Sequence, residues 1–220
     1  MRRILALSTA CVMASAQLAG CAAAEPGTQT SPPVAAGGPA CAPLDDEWDY
    51  ARVRPEPQKL ADARARAEQG HREVRAKAGL EPDPPNGEGV RVFTWGSMLP
   101  GRYSLAASRM ANGQWEVVRV SEGREGRPAP EAPSVKVARI EGEAAARLAR
   151  VVENACLYAE PTYYGRTVPT RDGGEAACAD GSDQLIEIKV MGRRHVSFHA
   201  CHTFGRAGQA ADMLWQASSD

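Results

Sequence analysis

Apolar residues follow several distinct rhythms along this chain, and each rhythm predicts an element. Ile4 to Ala16 is apolar or small throughout, the length of a signal-peptide core and too short to span a bilayer. Ala22 to Pro43 has no rhythm. It is mostly Ala, Pro, Gly, Ser and Thr, with Pro32-Pro33 and Gly37-Gly38-Pro39 blocking regular structure, so 21–45 reads as a disordered tether. Gln58 to Ala78 is rich in helix formers. Its stripe of Leu60, Ala63, Ala67 and Val74 is thin and interrupted by Gly70, which predicts a solvated, weakly packed surface helix within a 46–88 region.

From residue 89 to the C-terminus the pattern is that of a folded domain. Val90 to Trp95 alternates as a strand. Arg102–Met110 and Gln114–Val120 flank Asn112-Gly113, a strong hairpin signal. A two-residue loop there would set Leu105 opposite Val120, Ala107 opposite Val118 and Arg109 opposite Glu116. Ser134 to Ile140 is a further strand after a proline-rich loop. Glu143 to Asn154 has clear helical spacing through Ala144, Leu148, Val151 and Val152. Glu160 to Glu175 reads as a long loop carrying Tyr163-Tyr164. Gln184–Val190 and His195–Cys201 form a second predicted hairpin, across Gly192-Arg193-Arg194. Gly208 to Gln216 closes the chain as a helix with Met213, Leu214 and Trp215. The class is therefore α+β: a small antiparallel sheet of hairpins with one amphipathic helix packed on it.

Composition narrows the function. The 220 residues are 43% hydrophobic and 24% charged, with 26 Lys+Arg against 27 Asp+Glu. A net charge of −1 does not suit a general binder of the phosphate backbone. Aromatic residues at 5% do not suit a stacking platform for single strands. No nucleic-acid partner is expected.

The N-terminus carries an address. Met1-Arg2-Arg3 is a short positive stretch, the apolar core follows, and Leu18-Ala19-Gly20-Cys21 ends it. This resembles the lipobox of bacterial lipoprotein precursors. The resemblance implies a signal peptide over 1–20, cleavage before Cys21, and acylation (diacylglyceryl and palmitate) of that residue. More than one acyl chain gives stable anchoring. Ala22 stands where Asp would favour inner-membrane retention in that family, so the expected location is the outer membrane, facing the periplasm. Loss of the leader removes Arg2 and Arg3 and leaves a charge of −3, so the lipid rather than charge must hold the protein to an anionic surface.

Six cysteines occur. Cys11 leaves with the leader and Cys21 is the lipid acceptor. Four remain in an oxidising compartment: Cys41, Cys156, Cys178 and Cys201. Cys178 precedes the last hairpin and Cys201 ends it, which favours Cys178–Cys201 and leaves Cys41–Cys156. There is no CxxC pair, so no metal site is expected from the thiols.

One cluster has the look of chemistry. Three of the four histidines fall in His195-Val-Ser-Phe-His199-Ala-Cys-His202. Setting Val190 opposite Val196 would place Glu187 opposite His199 on a wet face. Glu187, His195 and His199 are thus candidates for an acid/base pair or a weak metal site. Motifs for zinc proteases, serine hydrolases, phosphate loops and dinucleotide binding are all missing, and no cofactor is expected. Cys178-Ala-Asp-Gly181 before a strand, with the preceding helix and the Gly192 hairpin, resembles small uncharacterised envelope proteins of Gram-negative bacteria over roughly Ile140 to Trp215. That likeness implies a fold and a compartment but no activity. The leading expectation is a lipid-anchored, non-enzymatic binding or structural module of the envelope. Its alternatives are a metal-binding or hydrolytic enzyme using the Glu187/His195/His199 face, and an inhibitor of a periplasmic enzyme that probes with Tyr163-Tyr164. Its partners would be the membrane, through the N-terminal lipid, and a periplasmic protein.

Overall fold

The computed structural model describes residues 41, 56–83, 87–96, 101–123, 132–169, 172, 174–178, 181–201 and 203–219. The expected signal peptide, Cys21, the tether apart from Cys41, and His202 lie outside these residues. The main elements are α1 (Pro57–Lys77), β1 (Gly89–Trp95), β2 (Gly101–Arg109), β3 (Trp115–Gly123), β4 (Ser134–Ile140), α2 (Gly142–Glu153), β8 (Ser182–Val190), β9 (Arg193–Cys201) and α3 (Gly205–Ala217). A 3-10 turn, Ala155–Ala159, follows α2. Three short strands come next: β5 (Tyr163–Tyr164), β6 (Thr167–Pro169) and β7 (Glu175–Ala177).

Seven strands form one sheet in the order β4-β3-β2-β1-β8-β9-β5, and β6 and β7 form a separate pair. Within the large sheet only β5, beside β9, is parallel to its neighbour. The α+β class and the order of the longer elements are those expected, but β5, β6 and the start of β7 fall where a long loop was expected over Glu160–Glu175. The layering is different. Helices cover both faces, not one: α2 and α3 on one side, α1 on the other.

The core under α2 and α3 joins Val90, Val92, Leu105, Trp115, Val117, Ile186 and Ile188 of the sheet to Leu148, Val152 and Leu214. Each such side chain contributes roughly 1.5–3 kcal/mol on burial. Helix α3 approaches closely because its inner positions are small: Ala207, Gly208, Ala210 and Ala211 are all buried. Helix α1 is not a weakly packed surface helix. Ala67 and Val74 are fully buried with Phe93, Val120, Leu185 and Phe198. Gly70 is its contact point, since a Cβ there would stand 2.6 Å from Cζ of Phe93. The interruption in the stripe is what lets the helix reach the sheet.

Both hairpin registers differ from expectation. Around Asn112-Gly113 the loop has three residues, not two. Met110 N–H donates to the Gln114 carbonyl at 2.8 Å, and Gly113 takes φ +82°. A turn followed by a left-handed glycine is the next most common hairpin loop. Leu105 therefore faces Arg119, Ala107 faces Val117 and Arg109 faces Trp115. Arg109 instead pairs with Glu153 of α2. At the second hairpin the loop is Met191-Gly192, both left-handed at φ 54° and 70°, and Val190 faces Arg193. The two-residue turn tightens the pairing by three positions. An odd slip exchanges the two faces of a strand. The cysteine pairs are the expected ones, Cys41–Cys156 and Cys178–Cys201, with Cα separations of 5.3 and 6.2 Å.

Candidate functional site

The register change takes the predicted polar cluster apart. Glu187 faces Val196, not His199, and lies on the α1 side of the sheet. There it pairs with Arg91, and Arg194 Nε donates to it at 2.6 Å. Arg91 also reaches Asp83 at 2.7 Å. A cavity of about 160 Å³ beside this group is lined by Asp83, Gly87, Gly89, Arg91, Glu187 and Lys189. Asp83, Arg91 and Glu187 are already paired with one another or with Arg194.

His195, Ser197 and His199 point the other way, into the core face with Ile186 and Ile188, and all three are buried. The Phe204 N–H donates to His199 Nδ1 at 3.2 Å, so that nitrogen carries no proton. The ring is therefore neutral, with its proton on Nε2, 2.9 Å from Ser197 Oγ. The imidazole donates to the serine oxygen and does not act on it as a base. Tyr164 stacks on the ring at 4.6 Å. Burial, reinforced by the Arg64 charge, pushes His195 down to about 4, and its Nε2 has no hydrogen-bond partner among the described residues. The two tyrosines expected to probe a partner are also built into the fold. Tyr164 is fully buried and Tyr163 stacks on Phe198 at 5.9 Å, both within β5. No group of three or more His, Cys, Asp or Glu with metal-holding geometry occurs among the described residues.

The site that the register does create was not predicted. Antiparallel pairing aligns one residue per strand across the α3 face: Ser121, Tyr103, Thr94, Gln184 and His199. This row is polar or aromatic where the adjacent row holds Leu105, Val92 and Ile186. Helix α3 crosses above it. Between helix and sheet lies a cavity of about 250 Å³, lined by Val92, Thr94, Leu105, Ser182, Gln184, Ala211, Asp212 and Trp215. The side chains of Thr94, Ser182 and Gln184 make no hydrogen bond among the described residues. The Asp212 carboxylate accepts from Thr203 Oγ1 at 3.2 and 3.4 Å and has no cationic partner there. Burial raises its pKa, and the Thr203 hydroxyl opposes the rise. Trp215 forms the wall, 37% exposed. Tyr103 meets it edge-on at 5.1 Å and the Arg119 guanidinium lies 4.9 Å over its ring. Open polar groups around an apolar-walled cavity are the usual makings of a small-molecule site. The sequence signal was the break in strand alternation at Thr94 and Gln184, legible only once the register is known.

Glu160 holds the helix that roofs this cavity. Its carboxylate accepts the Arg206 backbone N–H at 2.9 Å and the Arg206 guanidinium at 2.6 Å, at the start of α3. A buried anion there also meets the positive end of the helix dipole. Gly205, at φ +69°, leaves room for it, since a Cβ would come within 2.6 Å of Glu160 Oε2.

Comparison with family models, curated proteins and solved structures returns no match to this chain.

Proposed function

We propose that the protein is a lipid-anchored envelope module that binds a small polar ligand between α3 and the sheet and carries out no chemistry on it. The observation that carries the reading is the cavity itself. Thr94, Ser182, Gln184 and Asp212 converge there with unused hydrogen-bonding capacity beside Trp215. Polar groups placed around such a cavity without internal partners are available to a ligand. His199 is neutral and faces the core, which does not favour it as the base of the enzyme reading. Two cysteine bridges suit an oxidising compartment, in keeping with anchoring through Cys21 at the outer membrane.

Two measurements test this. Palmitate labelling of cells expressing the full chain should mark the wild type and not Cys21→Ala, and the variant should leave the membrane fraction. A fragment screen by two-dimensional NMR should give shifts that cluster at Thr94, Gln184 and the Trp215 indole. Shifts confined to the Arg91–Glu187 side, or none at all, would remove the cavity as the binding site.

A further inference from the structure

We propose that the α3 cavity takes one neutral, polyhydroxylated ring of the sugar class. The inference rests on the cavity being the ligand site and adds the chemistry of its occupant. Size sets the first limit. A volume of about 250 Å³ is the room of roughly eight water molecules, which suits a single small ring.

Charge sets the second. Asp212 is a carboxylate whose partner among the described residues is a hydroxyl, and no Lys or Arg pairs with it there. An anionic ligand would be repelled by it, although Asp212 is exposed and water screens part of that repulsion. A cation is opposed from the other wall. Arg119 already sits over the Trp215 ring, so a second positive charge would compete for the same π electrons against a like charge. Neutral ligands escape both penalties.

Hydrogen bonding sets the third. Asp212 can only accept, and so calls for donors on the ligand. Thr94 and Ser182 hydroxyls donate and accept, and the Gln184 amide does both through separate atoms. Adjacent hydroxyls on a saturated ring supply donors and acceptors in alternation. The C–H face of the same ring is apolar and matches the indole of Trp215, with Val92, Leu105 and Ala211 behind it. Tyr103 and Arg119 hold that indole from the β2 and β3 side, so its wall is set before a ligand arrives.

The test varies charge on a constant ring. Full-length protein in detergent micelles is titrated with glucose, glucuronate, glucosamine and cyclohexanol, while the Trp215 indole N–H is followed by NMR. Trp215→Phe assigns the resonance. Glucose should bind, and glucuronate should bind about fivefold more weakly. Asp212→Asn should narrow that gap, and Gln184→Ala should weaken glucose while circular dichroism stays unchanged. Glucosamine binding tighter than glucose, or cyclohexanol binding as well as glucose, would overturn the ligand class and leave the cavity reading standing. If none of these probes and no screened fragment moves the Trp215 resonance, both readings fall.

Discussion

Acid should unfold this domain earlier than its carboxylates alone would require, because two histidines are buried in their neutral form. Burial lowers His71 to about 4, against the opposing Pro82 carbonyl and with help from Arg91 and Arg75. Its Nε2 donates to that carbonyl at 2.9 Å and its Nδ1 lies 3.2 Å from Ser104 Oγ. Burial, then Arg64, lowers His195 to the same level. The ordinary histidine value is 6.5. Between 6.5 and 4 the unfolded chain therefore binds protons that the native state does not. Stability is fully present above 6.5, falls as pH drops through that window, and levels off below it. Each histidine costs about 1.4 kcal/mol per pH unit, so about 2 kcal/mol is lost at each site by pH 5, and about 4 kcal/mol in total. That is a large part of the 5–15 kcal/mol typical of a domain. Urea unfolding at pH 7, 6 and 5 with the disulfides intact measures it. Stopping at pH 5 limits the opposite contribution of Asp183 and Asp212, whose carboxyls burial holds up. His195→Phe should remove about half of the pH dependence, and His71→Gln combined with it nearly all. A wild-type midpoint that does not move between pH 7 and 5, or a double variant that falls as steeply as the parent, would refute the reasoning.

Three further outcomes follow from the packing. Replacing Cys178 and Cys201 by Ser opens a loop with a sequence separation of 23 and should cost about 3 kcal/mol in urea unfolding; the separation of 115 at Cys41–Cys156 predicts about 5 kcal/mol on the same chain-entropy argument. Gly70→Ala forces a Cβ against the Phe93 ring and should destabilise by about 1–3 kcal/mol, measured as a lower thermal midpoint; no change would mean that α1 does not dock through Gly70. Met191→Asn should raise the unfolding free energy by about 0.5–1 kcal/mol, read as a higher urea midpoint, since Asn tolerates the left-handed conformation that Met191 holds at φ 54°.

Local pattern carried the sheet class and the element order, because strand alternation and the helical spacing of Leu148, Val151 and Val152 are short-range features. It did not carry register. Asn112-Gly113 marks a turn but not its length, and Met191-Gly192 lacks the Asn or Asp that usually announces a two-residue turn. Each difference moved side chains to the opposite face, which is why Glu187 and His199 looked like partners. Helix α1 was underrated because Ala67, Gly70 and Val74 bury little area each, and only the Phe93 ring opposite explains the glycine. The α3 cavity depends on three strands and a helix being brought together, so no single segment announces it. Both cysteine pairs were legible, since four thiols with one favoured pair leave a single remainder.

The Cys41–Cys156 bond changes how a pull on the N-terminus would enter the fold. Tension applied upstream of residue 41 has a short covalent route to residue 156, just past α2. It reaches the α2 side of the sheet directly, because the bond bypasses the chain between the two cysteines. Tugging would thus strain the turn at residue 156 before it could peel α1 from its seat on Phe93, and cutting the sulfur link would reverse that order.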